Sequence, residues 1–157
     1  MNKKLITSLC VAALVLLLGL ASCNDDTNCA SFNTTEIQVG FINVLNGNSR
    51  NLTFREVNAH LGDGIQRQIY DSAGYSGLTL PLNIFADSST FYFTRINVNN
   101  IDTLTIGYNV TTRLISPQCG TESVINGLEI RYSTFDSLTL ASTELLTIND
   151  ADIQIIE

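Results

Sequence analysis

The sequence predicts an all-β fold, an antiparallel sandwich of immunoglobulin-like or related type, with a barrel as the alternative. Apolar and polar residues alternate over several segments, as in a strand with one buried face. Turn-forming pairs such as Asn46-Gly47 separate these segments at short intervals. No ten-residue window shows a sustained helical period. Short alternating strands between frequent turns are typical of sandwiches and barrels.

The alternating segments can be followed along the chain from Glu36. The first places Ile37, Val39 and Phe41 on one face. Later segments cover residues 52–57, 65–70, 78–84, 90–98, 104–110, 128–132, 138–140 and 153–155, with turns predicted at Asn46-Gly47, residues 62–64, residues 99–100 and Asn126-Gly127. The clearest set, which should face the core, is Leu104, Ile106, Tyr108 and Val110.

Two irregularities refine the prediction. Pro81 lacks a backbone N–H, so its strand should lie at a sheet edge or carry a bulge. Phe91 and Phe93 have the opposite parity to the apolar residues that follow them. A bulge near Thr94 or Arg95 would reconcile the two sets.

The N-terminus is predicted to be a lipoprotein signal peptide over residues 1–22. Two lysines precede an apolar run over residues 5–20, which is shorter than the roughly 20 residues of a membrane-spanning helix. The run ends in Leu20-Ala21-Ser22-Cys23, which resembles the lipobox of bacterial lipoproteins, and lipidation is therefore expected at Cys23. An uncleaved anchor and an ordinary signal peptide are the alternatives. Residues 23–35 would then be a lipidated tether and residues 36–157 a single β domain.

The residues directly after Cys23 bear on the location of the protein. Asn24-Asp25-Asp26 resembles the surface-export signal of Bacteroidota lipoproteins, although a solvated tether would also be acidic. We expect a lipid anchor in the outer membrane, with the domain facing the periplasm or the cell surface.

After residue 22 the chain has six arginines and fifteen acidic side chains, a net charge of −9. Nucleic-acid binding requires a basic surface, so this partner is excluded.

The two cysteines that remain after signal cleavage and lipidation are Cys29 and Cys119. An even number of cysteines in an oxidising compartment predicts a disulfide. A metal site is the alternative, but His60 is the only histidine and there is no Cys-x-x-Cys spacing. No metal or other cofactor is therefore predicted.

A family resemblance accompanies these features. The segment Ile101-Asp102-Thr103-Leu104-Thr105-Ile106 and the later Ile115-Ser116-Pro117-Gln118-Cys119-Gly120 resemble a family of short Bacteroidota lipoproteins of unassigned function. The resemblance implies that Cys29 and the Cys119-Gly120 pair occupy the family's cysteine positions. Thr121 departs from it, because an aromatic residue often follows Cys-Gly there. The family implies no catalytic or binding residues.

Candidate reactive and binding residues are few. His60, in a predicted loop, is the only side chain whose unperturbed pKa suits a neutral general base, and the Gly-x-Ser-x-Gly motif of hydrolases is absent. Asp150 and Asp152 do not follow the spacing of a calcium loop, so we expect a solvated acidic surface. The five tyrosines, at positions 70, 75, 92, 108 and 132, could line a glycan-binding face or pack in the core.

Three short motifs resemble the O-glycosylation acceptor of Bacteroidota, Asp followed by Ser or Thr and a small or aliphatic residue. The acceptor residues would be Ser72, Thr103 and Ser137. The sequence as a whole predicts a non-enzymatic structural or interaction domain of the cell envelope, held to the membrane by its lipid and contacting an envelope protein or glycan. A carbohydrate- or ligand-binding sandwich of a substrate-capture complex is the alternative, and a small hydrolase built on His60 is the third.

Overall fold

The computed structural model describes residues 29, 34–60, 66–96, 100–145 and 151–157, and over these residues it contains strands and no helix. In chain order the strands are β1 (Glu36–Ile42), β2 (Leu52–His60), β3 (Gln66–Tyr70), β4 (Ala73–Tyr75), β5 (Gly77–Pro81), β6 (Ser88–Arg95), β7 (Ile101–Ser116), β8 (Gly120–Ser133), β9 (Leu138–Leu140) and β10 (Ile153–Ile156). The all-β prediction is confirmed. No helix within these residues has the length and hydropathy needed to span a bilayer.

The strands form two sheets that pack as a sandwich. One sheet has four strands in the order β5-β1-β10-β9, and the other has the order β3-β2-β6-β7-β8, with β4 also pairing β2. The predicted sandwich is therefore confirmed. Its neighbouring strands are antiparallel except for β1 and β10, which run parallel with Val39 opposite Ile153. The purely antiparallel arrangement expected from the sequence is wrong at this pair, because alternation reports faces and not strand direction.

The core lies between the two sheets and is rich in phenylalanine. The ring of Phe41 in β1 lies 5.4 Å from that of Phe54 in β2, and Phe54 lies 5.7 Å from Phe93 in β6. The alternating residues of β1 are buried, as predicted. Of the set predicted from β7, Leu104, Ile106 and Tyr108 are buried and Val110 is half-buried. Each fully buried side chain of this size stabilises the fold by about 1.5–3 kcal/mol relative to an exposed one.

Strand ends and irregularities differ in detail from the predictions. Pro81 lies in β5, an edge strand of the four-stranded sheet, which confirms its predicted position. The strand predicted over residues 78–84 ends at Pro81, because Ile84 lies in a turn. The structure has a bulge beside Thr94 and Arg95, where one was predicted, but the extra residue belongs to the partner strand β2 and not to β6. Phe54 pairs with Arg95 and Glu56 pairs with Thr94, which leaves Arg55 as the extra residue of β2.

The Asn126-Gly127 pair forms a bulge, and the turn predicted there is wrong. Strand β8 continues through it, since Asn126 pairs with Asn109 and Glu129 pairs with Gly107. Gly127 has a φ of 64°, a left-handed conformation that glycine adopts without steric cost. The bulge leaves Leu128 in the core, 2% exposed.

Asp152 is buried, which overturns the solvated acidic surface expected there; its neighbour Asp150 lies outside the described residues. Its Oδ2 atom accepts a hydrogen bond of 2.8 Å from the Gln38 N–H at the start of β1. Its backbone carbonyl accepts a second bond of 2.7 Å from Ala141 N–H. A buried carboxyl group requires a partner such as the Gln38 N–H. The sequence could not reveal it, because Gln38 and Asp152 are 114 residues apart.

Candidate functional site: the hairpin arm and the groove at its base

The longest strands, β7 and β8, form a hairpin that extends past the sandwich. Strand β6 pairs with β7 only from Ile101 to Gly107. Beyond that point, residues 109–126 pair mainly with one another, and we call this segment the arm. A bridge between Asn126 and Glu144 joins the arm to the rest of the domain at its base. Most arm side chains are exposed or half-buried.

Polar contacts hold the two strands of the arm together. Near its tip, Arg113 pairs with Glu122 on the opposite strand, and its Nε donates to Glu122 Oε1 at 2.8 Å while Nη2 contacts the same oxygen. The turn at the tip is closed by Gly120, whose φ is 77°. Cys119 N–H donates to Ser116 Oγ at 3.0 Å. A two-stranded ribbon without a hydrophobic core is marginally stable alone, so these contacts matter.

A disulfide ties the tip of the arm to the N-terminal part of the chain. Cys29 and Cys119 are bonded, with their Cα atoms 5.5 Å apart, inside the usual range of about 4.4–6.8 Å. This is the pairing that the cysteine count predicts. Thr34 follows Cys29 by five residues, so the Cα atoms of Cys29 and Thr34 are separated by at most roughly 18 Å. Thr35 is fixed to the sandwich by its carbonyl, which accepts a hydrogen bond from Leu82 N–H.

An open groove of about 820 Å³ lies at the base of the arm. One side is formed by the turn after β5, and the other by the first residues of the arm. Its lining consists of residues 84–87, residues 108–112 and Asn126. Phe85 is 92% exposed, whereas Ile84 and Val110 are half-buried. The groove thus combines an accessible aromatic ring with amide and hydroxyl side chains.

Buried hydroxyl groups fix the turn that carries Phe85. The Tyr108 hydroxyl accepts a hydrogen bond from Asn83 N–H at 2.9 Å, donates to Asn83 O at 3.0 Å and lies 2.6 Å from Ser89 Oγ. Phe85 N–H then donates to Asn83 Oδ1 at 2.9 Å. Burial raises the pKa of Tyr108, and its hydrogen bond with Ser89 opposes that effect. The hydroxyl therefore stays protonated and holds the turn.

The charged group at the groove, Asp87, is paired with an arginine that it shares with Glu129. Arg131 Nη1 lies 3.0 Å from Asp87 Oδ2, and Arg131 Nε lies 2.9 Å from Glu129 Oε1. The hydrogen bond and the charge of Arg131 lower the pKa of Asp87. Gly107 makes room for this arginine, because a Cβ there would collide with the Arg131 side chain.

Two asparagines form a pair where the groove meets the arm. Asn109 and Asn126 are cross-strand partners, and both line the groove. The Asn109 amide lies over Gly127, where its Nδ2 would be only 2.7 Å from a Cβ atom. A side chain at position 127 would displace that amide. Sequence reasoning missed the groove residues because Phe85 and the two asparagines come from segments far apart along the chain.

The predicted reactive residues are not assembled into a site. His60 is the last residue of β2 and half-buried, so the predicted loop is wrong there. It is paired across the sheet with Thr90 and Gln66, which extends β2 three residues beyond the predicted end. In the described part of the chain, no hydrogen bond joins its ring to a carboxylate or a serine. No cluster of three or more metal-ligating side chains occurs among the residues described.

The tyrosines are dispersed and do not form one face. Tyr108 is in the core, and Tyr70 packs edge-on against Tyr75 with ring centroids 5.1 Å apart. The Tyr70 hydroxyl also bridges the sheets, because it donates to Thr79 O and accepts from Thr79 N–H. Tyr92 is half-buried and Tyr132 is exposed.

The three candidate O-glycosylation residues differ in accessibility. Ser72 and Ser137 are exposed in the connections before β4 and β9. Thr103 is half-buried within β7, between the paired strands β6 and β8, and its N–H donates to Thr134 Oγ1. Modification of these residues stays a prediction, and accessibility favours Ser72 and Ser137 over Thr103. The signal peptide and Cys23 lie outside the described residues.

Comparison with known proteins gives a single family. No curated protein and no solved structure shows significant similarity to the chain. A family model described as a family of unknown function, DUF6452, matches residues 57–156. The match includes the groove, the whole arm, the end of β2 and all of the eight strands from β3 to β10. Because it covers well over half of the sequence, the chain belongs to the family of unknown function DUF6452.

Proposed function

We propose that the chain is a lipoprotein of the bacterial cell envelope, anchored in the outer membrane, whose β-sandwich acts as a non-enzymatic structural or interaction domain. The observation that carries the proposal is the Leu20-Ala21-Ser22-Cys23 segment after a basic and apolar start. A disulfide supports it, because disulfides persist in compartments outside the cytoplasm. The resemblance to short Bacteroidota lipoproteins of unassigned function points the same way.

The position of the disulfide gives the proposed anchor a structural consequence. Cys29 follows Cys23 by six residues, which span at most about 22 Å when fully extended. Because Cys29 is bonded to Cys119, a lipid at Cys23 would keep the tip of the arm close to the bilayer surface. The arm would then act as the membrane-proximal part of the domain. The sandwich would present its other surfaces to an envelope protein or glycan, on the periplasmic side or on the cell surface.

A non-enzymatic role is supported by the surroundings of the only histidine. General base catalysis requires a ring nitrogen within hydrogen-bond reach of the group it deprotonates, with the other nitrogen oriented by a partner. His60 is paired within a sheet, away from the groove lining described above. The sequence also lacks a lysine after residue 4, which removes lysine nucleophiles from the domain.

The test compares the wild-type chain with Cys23→Ser by intact mass and detergent partitioning. We expect the wild-type protein to have lost residues 1–22, to carry the added mass of a lipid and to enter the detergent phase. Cys23→Ser should keep the leader and gain no lipid mass. Cys10→Ser, which changes a cysteine inside the leader, is the matched control and should behave as wild type. An identical mature mass for Cys23→Ser and wild type would contradict the proposal.

A further inference from the structure

We infer that the groove at the base of the arm binds an uncharged oligosaccharide, with Phe85 as the stacking platform and the Asn109–Asn126 pair as the polar contact. The inference deepens the interaction role proposed above and rests on it, since it names the chemical class of the partner. The groove volume of about 820 Å³ falls within the range of roughly 300–1,000 Å³ typical of ligand sites.

The first argument is the exposure of an aromatic ring on an ordered turn. Phe85 is 92% exposed, and leaving a large apolar side chain in water forgoes the stabilisation of burial. The turn beneath it is nevertheless fixed by the Tyr108 hydroxyl and the Asn83 side chain. A flat apolar face that projects from an ordered turn, and is not packed against the domain, suits the C–H face of a pyranose ring. An ordered turn also lowers the entropic cost of binding.

The second argument is the chemistry of the polar lining. Asn109 and Asn126 each offer an amide that donates and accepts hydrogen bonds, and Thr112 adds a hydroxyl group. The Thr111 hydroxyl donates to Val124 O at 3.3 Å and keeps its oxygen as an acceptor. Neighbouring sugar hydroxyls also donate and accept, so this lining matches them without a change in protonation. The Asn109 amide occupies the space that the absent Cβ of Gly127 leaves beside the groove.

The third argument is charge. The one charged side chain among the described lining residues is Asp87, and its carboxylate is already paired with Arg131. An anionic ligand such as a phosphate or an acidic sugar would require a cation directed into the groove. A cationic ligand would have to compete with Arg131. The lining therefore favours a neutral ligand.

The experiment is calorimetric titration of the full chain with cellohexaose, maltohexaose, mannohexaose and xylohexaose, repeated with Phe85→Ala and Asn109→Ala. We expect at least one of these neutral probes to bind. Each substitution should weaken that binding by about tenfold, or ~1.4 kcal/mol. Tyr132→Ala is the matched control, because it removes an exposed aromatic ring outside the groove lining and should bind as wild type.

Circular dichroism of each variant separates loss of binding from loss of fold. If Phe85→Ala fails to fold, Phe85→Leu replaces it, since leucine keeps the apolar volume and removes the flat ring. The inference is overturned if none of the four probes binds to folded chain, or if binding survives both groove substitutions. It is also overturned if only a charged sugar, such as oligogalacturonate, binds. Lipidation at Cys23 is measured separately, so failure of the anchor leaves this result interpretable.

Discussion

The sandwich and the arm are built from the same two strands but are stabilised in different ways. Within the sandwich, β7 has neighbours on both sides and Ile106 is fully buried. In the arm, β7 pairs mainly with β8, and Leu114 is 62% exposed. Burial of apolar surface dominates in the first region, whereas the arm buries Ile125 near its base and otherwise relies on a cross-link, an ion pair and a tight turn. Different interactions can thus stabilise different parts of the same pair of strands.

Because the two regions are stabilised in different ways, substitutions in the sandwich and in the arm should affect stability differently. Loss of core packing should destabilise the whole domain, because the sandwich unfolds as a cooperative unit. Loss of the disulfide should both destabilise the domain and release the arm locally, since ribbon segments with few buried contacts open most easily.

Removing the disulfide is expected to have the largest effect. The cross-link closes a loop with a sequence separation of 90 residues, and the chain-entropy model gives about 4–5 kcal/mol for such a loop. Cys29→Ser/Cys119→Ser should therefore unfold at markedly lower urea concentration than wild type. Hydrogen exchange should show faster exchange over residues 109–124 than over β6. Reductant should shift the wild-type midpoint and leave the double variant unchanged, and an unshifted wild type would show that the arm is held by other contacts.

The next largest effect is expected from truncation in the core. Ile106 is fully buried in β7, between β6 and β8 of the six-stranded sheet, and Ile106→Ala should lower the free energy of unfolding by about 2–5 kcal/mol. Leu114→Ala is the matched control in the same strand and should change it by less than about 0.5 kcal/mol. Urea denaturation measures both. Equal losses would mean that Leu114 is as well packed as Ile106, which would contradict the exposure of the arm beyond its base.

A smaller effect is expected where the two regions meet. Tyr108→Phe removes the hydroxyl that bonds the backbone of Asn83, which should cost about 1–3 kcal/mol. The variant should also lose part of the alkaline sensitivity of wild type. Burial raises the folded pKa of Tyr108, so its contribution is complete below the unfolded pKa of about 10 and is lost as pH rises through the higher folded value.

Thermal unfolding between about pH 8 and pH 11 tests this dependence. Above pH 10 the wild-type melting temperature should fall more steeply than that of Tyr108→Phe. Tyr132→Phe, at an exposed position, is the control and should follow wild type. Parallel profiles for all three proteins would rule out a role for the Tyr108 hydroxyl in the alkaline transition.

The smallest effect is expected for the ion pair in the arm. The Arg113 side chain is 58% exposed and the Glu122 side chain 7% exposed, so solvent screens their attraction from the side of the arginine. A double-mutant cycle with Arg113→Ala and Glu122→Ala should give a coupling free energy of about 0.2–1 kcal/mol. The coupling should decrease in high salt. A larger, salt-independent value would indicate that the arm is shielded from water near its tip.

The sequence predicts the sandwich well because its core follows a period of two. Ile37, Val39 and Phe41 were identifiable by alternation alone, and all are buried. The parallel pairing of β1 with β10 was not predictable, since the two strands lie far apart along the chain and strand direction leaves no mark on the pattern. The turn predicted at Asn126-Gly127 is wrong for a related reason. The same residue pair suits a tight turn or a bulge, and only the partner strand decides between them.

The candidate site was less accessible to sequence reasoning than the fold. The pairing of Cys29 with Cys119 follows from counting, because only two cysteines remain in the proposed mature chain. The groove depends on a turn, a strand of the arm and a bulge meeting in space, and none has a distinctive motif. Phe85 lies just beyond a predicted strand, where an apolar residue carries no sign of its exposure. Polar residues in the arm likewise have no pattern that separates ligand contacts from ordinary solvent-facing positions.

The parallel pair of β1 and β10 also sets the order in which the domain can form. Gln38 and Asp152, which bond to each other across this junction, are 114 residues apart in sequence. Strand β9 joins the four-stranded sheet only through β10. Contacts between such distant residues form late, because the entropy of closing a long loop is lost before they are made. During any process that releases the chain from its N-terminal end, whether synthesis or translocation, the four-stranded sheet remains unfinished until residues 153–156 emerge, so the sandwich cannot close before then.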